Sequence, residues 1–166
     1  METIFKRRSI RKYTVAPVTD EMVRKILAAG MQAPSAGNQQ PWHFMVFKDK
    51  NVLKELSGFS PYCKMMNDAP VSILVCGDLS LEVHKGYWVQ DCSAAVQNML
   101  LEVVHLGLGS VWLGVYPRED RVAFLQKSLS LPAPIIPFAM LPIGHSAQEL
   151  SPADRYNQSR VHYERW

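Results

Sequence analysis

The sequence predicts an α/β or α+β fold built on a central sheet. Three observations carry this. Val71–Cys76 (VSILVC) is a continuous apolar run, the mark of a strand buried on both faces. From Gly86 to Leu106, the residues Val89, Cys92, Val96, Met99, Leu100, Val103 and Leu106 fall on one helical stripe. Phe138–Ile143, introduced by Pro132, Pro134 and Pro137 and closed by Gly144, reads as a second core strand. With 166 residues the chain is expected to form a single domain, long enough to bury a core without disulfides or metals.

Taken in order, Thr3 is read as the cap of a short helix through Ile4 and Phe5. A basic segment follows, Lys6-Arg7-Arg8-Ser9-Ile10-Arg11-Lys12-Tyr13, closed by Pro17. Thr19 is the N-cap of a second helix, with Asp20 and Glu21 favourable in its first turn. Met22, Val23, Ile26, Leu27, Gly30 and Ala33 form its apolar stripe, and Pro34 stops it. Trp42–Phe47 is aromatic and β-branched, hence a strand. Residues 50–57 and 62–68 read as short surface helices broken by Gly58 and Pro61.

The helix from Gly86 to Leu106 would span about 31 Å at roughly 1.5 Å per residue, enough to cross a small domain. Ser93, Ala94 and Ala95 allow another helix to approach it closely, and Gly107 and Gly109 end it. Ser110–Val115 is a strand and Arg118–Leu129 a helix. The tail, 145–166, is polar, carries Arg155, Arg160 and Arg165, and closes on Tyr163 and Trp166. Its aromatic end is expected to pack on something, with a second subunit as one candidate.

Composition narrows the function classes. Hydrophobic residues make up 48% and charged residues 20%, and the net charge of +3 is too mild to argue for nucleic acid. Three cysteines without a C-x-x-C pair argue against a disulfide framework or structural zinc and fit a reducing, cytoplasmic setting. No signal peptide is expected at the charged N-terminus, and no apolar run reaches membrane-spanning length.

Site motifs are few. Gly107, Gly109 and Gly114 fail the dinucleotide fingerprint in spacing and context, since they follow a helix and open a strand. The five histidines show no metal spacing, and no serine sits in G-x-S-x-G. Any enzymatic chemistry is therefore expected to reside in a bound cofactor.

Two stretches stand out. Arg7, Arg8 and Arg11 surround Ser9 near a helix end, which suits phosphate, a solvated basic terminus or, least well, a nucleic-acid patch. Pro34-Ser35-Ala36-Gly37-Asn38-Gln39-Gln40-Pro41-Trp42 holds three consecutive side-chain amides. Planar amides suit a flat heterocycle edged with C=O and N–H groups, although an ordinary polar loop explains the turn formers equally well.

Read together, these two stretches resemble the nitroreductase family of FMN-dependent oxidoreductases. The resemblance continues through Val111-Trp112-Leu113-Gly114, Leu141-Pro142-Ile143-Gly144 and the tail around Arg155 and His162-Tyr163-Glu164-Arg165-Trp166. It implies an α+β fold, a mixed central sheet surrounded by helices, in an intertwined homodimer. The whole of 1–166 would be one FMN-binding domain, with 145–166 packing on the partner subunit. FMN would sit at the dimer interface. Arg7, Ser9 and Arg11 would hold it from one chain, with Arg8 a less certain neighbour and Arg155 reaching the phosphate. Pro34, Ser35, Asn38 and Gln40 would meet it from the other chain, and Leu113 and Gly114 would lie beside its reactive face.

The implied activity passes hydride from NAD(P)H through flavin N5 to nitroaromatic, quinone or similar acceptors, donor and acceptor using one pocket in turn. No side-chain nucleophile is needed, and Arg11 would stabilise the reduced flavin. No nucleic-acid, membrane or metal partner is implied. A module that stores or senses FMN without turnover is the alternative. The chain is short for the family, with little room between Val115 and Arg118 for extra helices, so a more open flavin face is expected. Phe59, Tyr62 and Met65 or Met66 would border the pocket or simply form an apolar surface helix.

Overall fold

The computed structural model describes residues 2–166. Five strands form one sheet: β1 (Trp42–Phe47), β2 (Val71–Asp78), β3 (Gly109–Ser110), β4 (Leu113–Gly114) and β5 (Ile135–Gly144). Its order is β1-β2-β5-β3, with β4 also pairing with β5. All these pairs are antiparallel, and the parallel direction enters through a single bridge between Ser9 and Ser110. Five helices surround it: α1 (Glu2–Lys6), α2 (Asp20–Met31), α3 (Lys50–Leu56), α4 (Trp88–His105) and α5 (Glu119–Ser128). The expected α+β class holds.

β2 is buried along its whole length, as its apolar run requires. Successive side chains of a strand face opposite ways. Val71, Ile73 and Val75 therefore enter a core with Ile26 of α2 and Val96 and Met99 of α4. Leu74 and Cys76 enter a second core with Leu53 and Leu56 of α3, Leu125 of α5, and Met66. Burying each large aliphatic side chain contributes about 1.5–3 kcal/mol, so both faces of the sheet help to hold it between its helices.

Several boundaries differ from the sequence reading. Thr3 lies inside α1 rather than capping it. Thr19 does cap α2, its hydroxyl accepting the Met22 N–H. Residues 62–68 form only a short 3₁₀ turn, Lys64–Asn67, and Met66 on it is fully buried. α4 starts at Trp88 because Gly86 sits at φ 87°, a left-handed turn that no helix continues through.

The expected strand Ser110–Val115 is two short pieces in one register, since Ser110 faces Ile143 and Leu113 faces Met140. The break falls opposite Pro142, which has no N–H to give and whose carbonyl lies 3.1 Å from the Tyr13 hydroxyl.

Gly77 on β2 shows how tightly sheet and helix meet. A Cβ built there would lie 2.3 Å from Cε3 of Trp88, the first residue of α4. The indole cannot move aside, because it packs edge-on against Tyr116 and Phe138 at centroid distances of 4.8 and 5.9 Å. Gly77→Ala is therefore expected to lose about 1–3 kcal/mol of stability, read as a lower midpoint in urea unfolding. A midpoint equal to wild type would show that the indole yields.

Candidate functional site

After α1 the chain runs extended. Ile10 is buried, its N–H donating to the Ser110 carbonyl at 2.9 Å, and a Cβ on Gly109 would lie 2.7 Å from its Cγ2. With Ile10 turned inward, its neighbours Ser9 and Arg11 turn outward. The first part of the tail runs alongside. Arg11 and Lys12 both donate backbone N–H groups to Oε1 of Gln148, at 2.7 and 3.0 Å. The Thr14 N–H donates to the His145 carbonyl and that of Ala147 to the Lys12 carbonyl, each at 2.9 Å. Arg8 donates to the Ser151 carbonyl. Tyr13 buttresses the segment, its hydroxyl 2.8 Å from the Ile10 carbonyl; burial pushes its pKa up and keeps it protonated.

This arrangement brings Arg7 and Arg155 together. Both line a cavity of about 820 Å³ between α1, Gln97 of α4 and tail residues 152–156. Neither guanidinium has an ion-pair partner among the described residues, and the same holds for Arg11. Beyond Ser151 the tail is exposed, with Tyr156, Tyr163 and Trp166 uncovered and Trp166 stacked on His162 at 4.1 Å.

The loop 34–41 lies elsewhere on α4, and its three amides divide the work. Gln39 points inward. Its Nε2 donates to Oδ2 of Asp91 at 2.6 Å, and its Oε1 accepts the N–H groups of Val83 and His84 at 2.8 and 2.9 Å. Asp91, buried in the first turn of α4, uses its other oxygen to accept the Ala36 N–H at 2.9 Å. A buried carboxylate is thus satisfied by the loop, and the loop is fixed by it.

Asn38 and Gln40 are exposed, on left-handed backbone at φ 58° and 45°, with Gly37 at φ 54°. Gln40 Nε2 donates to Asn38 Oδ1 at 3.0 Å, which leaves the Asn38 NH₂ and the Gln40 carbonyl free among the described residues. Ser35 Oγ accepts the Gln40 N–H at 3.0 Å and keeps its own proton to give. Pro34 is exposed at the loop entrance. Gly37 carries the His84 ring directly, since a Cβ there would lie 2.4 Å from its Nε2.

Leu113 buries its side chain in the second core, so only its backbone is available to a ligand. Gly114 faces open space: a Cβ there would meet nothing within 4 Å. Its carbonyl is held by Arg121 Nη1 at 2.6 Å. Of the residues that were candidate pocket borders, Phe59 and Met66 are core, Met65 packs partly against it, and Tyr62 points to solvent.

Among the described residues no side-chain hydrogen bond or ion pair joins the arginine set to the amide loop. The loop is bound to the first turn of α4, whereas Thr3 of α1 shares a small cavity with Asn98 and His105 in its last turns. None of the three cavities described is lined by both sets. A thiol nucleophile is absent too, since Cys63, Cys76 and Cys92 are all buried and burial pushes their pKa values up, that of Cys76 to about 12.

Comparison with known proteins decides the family. The sequence profile of the nitroreductase family matches residues 4–60 and 59–145. The chain belongs to the nitroreductase family. A relative from Methanothermobacter thermautotrophicus, provisionally described as an NADH dehydrogenase/NAD(P)H nitroreductase, is 47% identical over 166 residues, covering 100% of this chain and 87% of its own. Among solved structures, one from Clostridium acetobutylicum, provisionally an NADH oxidase, superimposes with a TM-score of 0.96 at 41% identity, covering 99% of each chain. Another from Desulfovibrio desulfuricans, provisionally a nitroreductase and in complex with FMN, gives 0.88 at 39% identity, covering 99% of this chain and 95% of that one.

Within this family member, Gln39 and Asp91 are the residues that sequence reasoning missed. The available signal was an acid, Asp91, directly beside Cys92 on the apolar stripe of α4. Asp91→Ala is expected to cost about 1–3 kcal/mol, because it leaves two half-buried donors unpaired. Hydrogen exchange at the Ala36 amide should accelerate well beyond the global change. Unchanged protection at Ala36 would show that the loop is held by something else.

Proposed function

We propose that the protein is an FMN-dependent NAD(P)H oxidoreductase acting as a homodimer, each flavin being held by the arginine segment of one protomer and the amide loop of the other. One observation carries this reading: each half has the chemistry of part of a flavin site, and the two sit on separate parts of one chain.

The donor set fits FMN. Arg7 and Arg155 present unpaired positive charge in one cavity, as a phosphate requires. The free Asn38 NH₂ and Gln40 carbonyl offer a donor and an acceptor side by side, as the edge of a flat heterocycle requires. Gly114 leaves room for a ring to approach the backbone. FMN, when bound, would take hydride from NAD(P)H at N5 and deliver electrons to nitroaromatics, quinones or similar acceptors, one substrate leaving before the next arrives.

The chain's own residues position and charge the site. Arg11, exposed and without an ion-pair partner, would stand where negative charge gathers in the reduced cofactor. Gln148 fixes the backbone beneath it. Ser9 faces the same way as Arg11 and would donate its hydroxyl. The exposed aromatics of the tail, Tyr156, Tyr163 and Trp166, would be covered by the partner protomer.

The first test is the visible spectrum. Purified protein given FMN should show bound flavin absorbance that bleaches on anaerobic addition of NADH or NADPH and returns with a nitroarene or quinone. A protein that binds no FMN would overturn the reading. Arg11→Ala should keep the wild-type unfolding midpoint but release FMN more readily or lower the flavin midpoint potential, measured by dye equilibration. Retained flavin at an unaltered potential would remove Arg11 from its role.

A further inference from the structure

A cleft of about 400 Å³ opens between the start of α4, the connection from β4 to α5, and α5 itself. Its walls are the indole of Trp88, the phenol ring of Tyr116, Pro117, and Val122 and Ala123 of α5, with Leu79 at the rim. None of these belongs to the arginine set or the amide loop.

The cleft is preformed. Trp88 is wedged over Gly77 and meets Tyr116 edge-to-face at 4.8 Å and 66°. Phe138 backs the indole at 5.9 Å. Aromatic walls fixed in this way lose little freedom when a flat ring enters between them. The volume lies near the low end for ligand pockets, roughly 300–1,000 Å³, which suits one or two fused rings.

The polar groups narrow the class further. Glu119 is the one carboxylate lining the cleft, and no lysine, arginine or histidine lines it. Arg118 alongside is engaged with Asp120 at 3.2 Å. Gln126 gives its Nε2 to the Ile135 carbonyl at 3.3 Å and so presents Oε1, an acceptor. The polar end therefore accepts hydrogen bonds and repels anions.

We propose that this cleft is a second binding site, separate from the flavin, for a planar neutral or cationic aromatic that carries a hydrogen-bond donor, an aminoarene or hydroxyarene of one or two rings. The ring lies against Trp88 and Tyr116, and the donor reaches Glu119 or Gln126. An aromatic carboxylate of the same size is excluded by charge. The proposal stands on this cleft alone and holds whether or not the flavin reading does.

The test uses 6-aminoquinoline and its anionic counterpart quinoline-6-carboxylate, titrated into ¹⁵N-labelled protein with and without FMN. The amine should give saturable shifts at the Trp88 indole N–H and the amides of α5, equal in both preparations, and the carboxylate should give none. Ala123→Trp fills the cleft from an exposed helix position and should abolish the shifts. Glu119→Gln should weaken amine binding by about tenfold and leave folding untouched. Wild-type affinity in Ala123→Trp, or carboxylate binding equal to that of the amine, would overturn the site. Loss of FMN binding with the amine site intact would refute only the flavin reading.

Discussion

The buried carboxylate of Asp91 is the constraint on which the amide loop depends. A charge inside a protein is costly unless it is fully hydrogen-bonded. Asp91 is paid for by Ala36 and Gln39, which give it 2.9 and 2.6 Å bonds. On either side of Gln39, which points inward, Gly37, Asn38 and Gln40 take left-handed backbone. That turn sends Asn38 and Gln40 outward with one donor and one acceptor unspent. The same Gln39 amide ties down Val83 and His84 at the entry to α4. The exposed side chains of Asn38 and Gln40 are therefore set by a buried electrostatic requirement.

α4 extends the logic across the molecule. Its apolar residues join both α2 and the sheet, which fixes its axis. One end holds the amide loop through Asp91, and the middle and far end support α1 and the cavity shared by Arg7 and Arg155. The two sets thus touch α4 at different points along one chain. Placing a second copy against α4 is the proposed way to bring a loop to a set of arginines. It would also cover the exposed aromatic tail.

How much of this was legible in the sequence depends on which forces set each feature. β1 was readable to the residue, because aromatic and β-branched character begins at Trp42 and ends at Phe47. The core of β2 was readable from its apolar run, but not its extension to Asp78, which rests on pairing with β1 and β5. The break near Trp112 was hidden, since it comes from a proline on the neighbouring strand. In the site, the arginines and amides were visible as residue types. The difference between Gln39, turned inward, and Asn38 and Gln40, turned outward, was not. It arises from a partner 52 residues away along the chain. Family resemblance supplied the cofactor, which no spacing alone could name.

In the proposed site the two halves that hold the flavin come from different protomers. Co-expression of two differently tagged chains tests it directly, one carrying Arg7→Ala and Arg11→Ala, the other Asn38→Ala and Gln40→Ala. Each variant alone should bind FMN poorly. In the mixed dimer one site would combine both defects, and the other would be intact. The mixed dimer should bind one FMN tightly, with wild-type absorbance and affinity. A mixed dimer that binds no better than its parents would contradict it, because each chain would then be using its own arginines with its own loop.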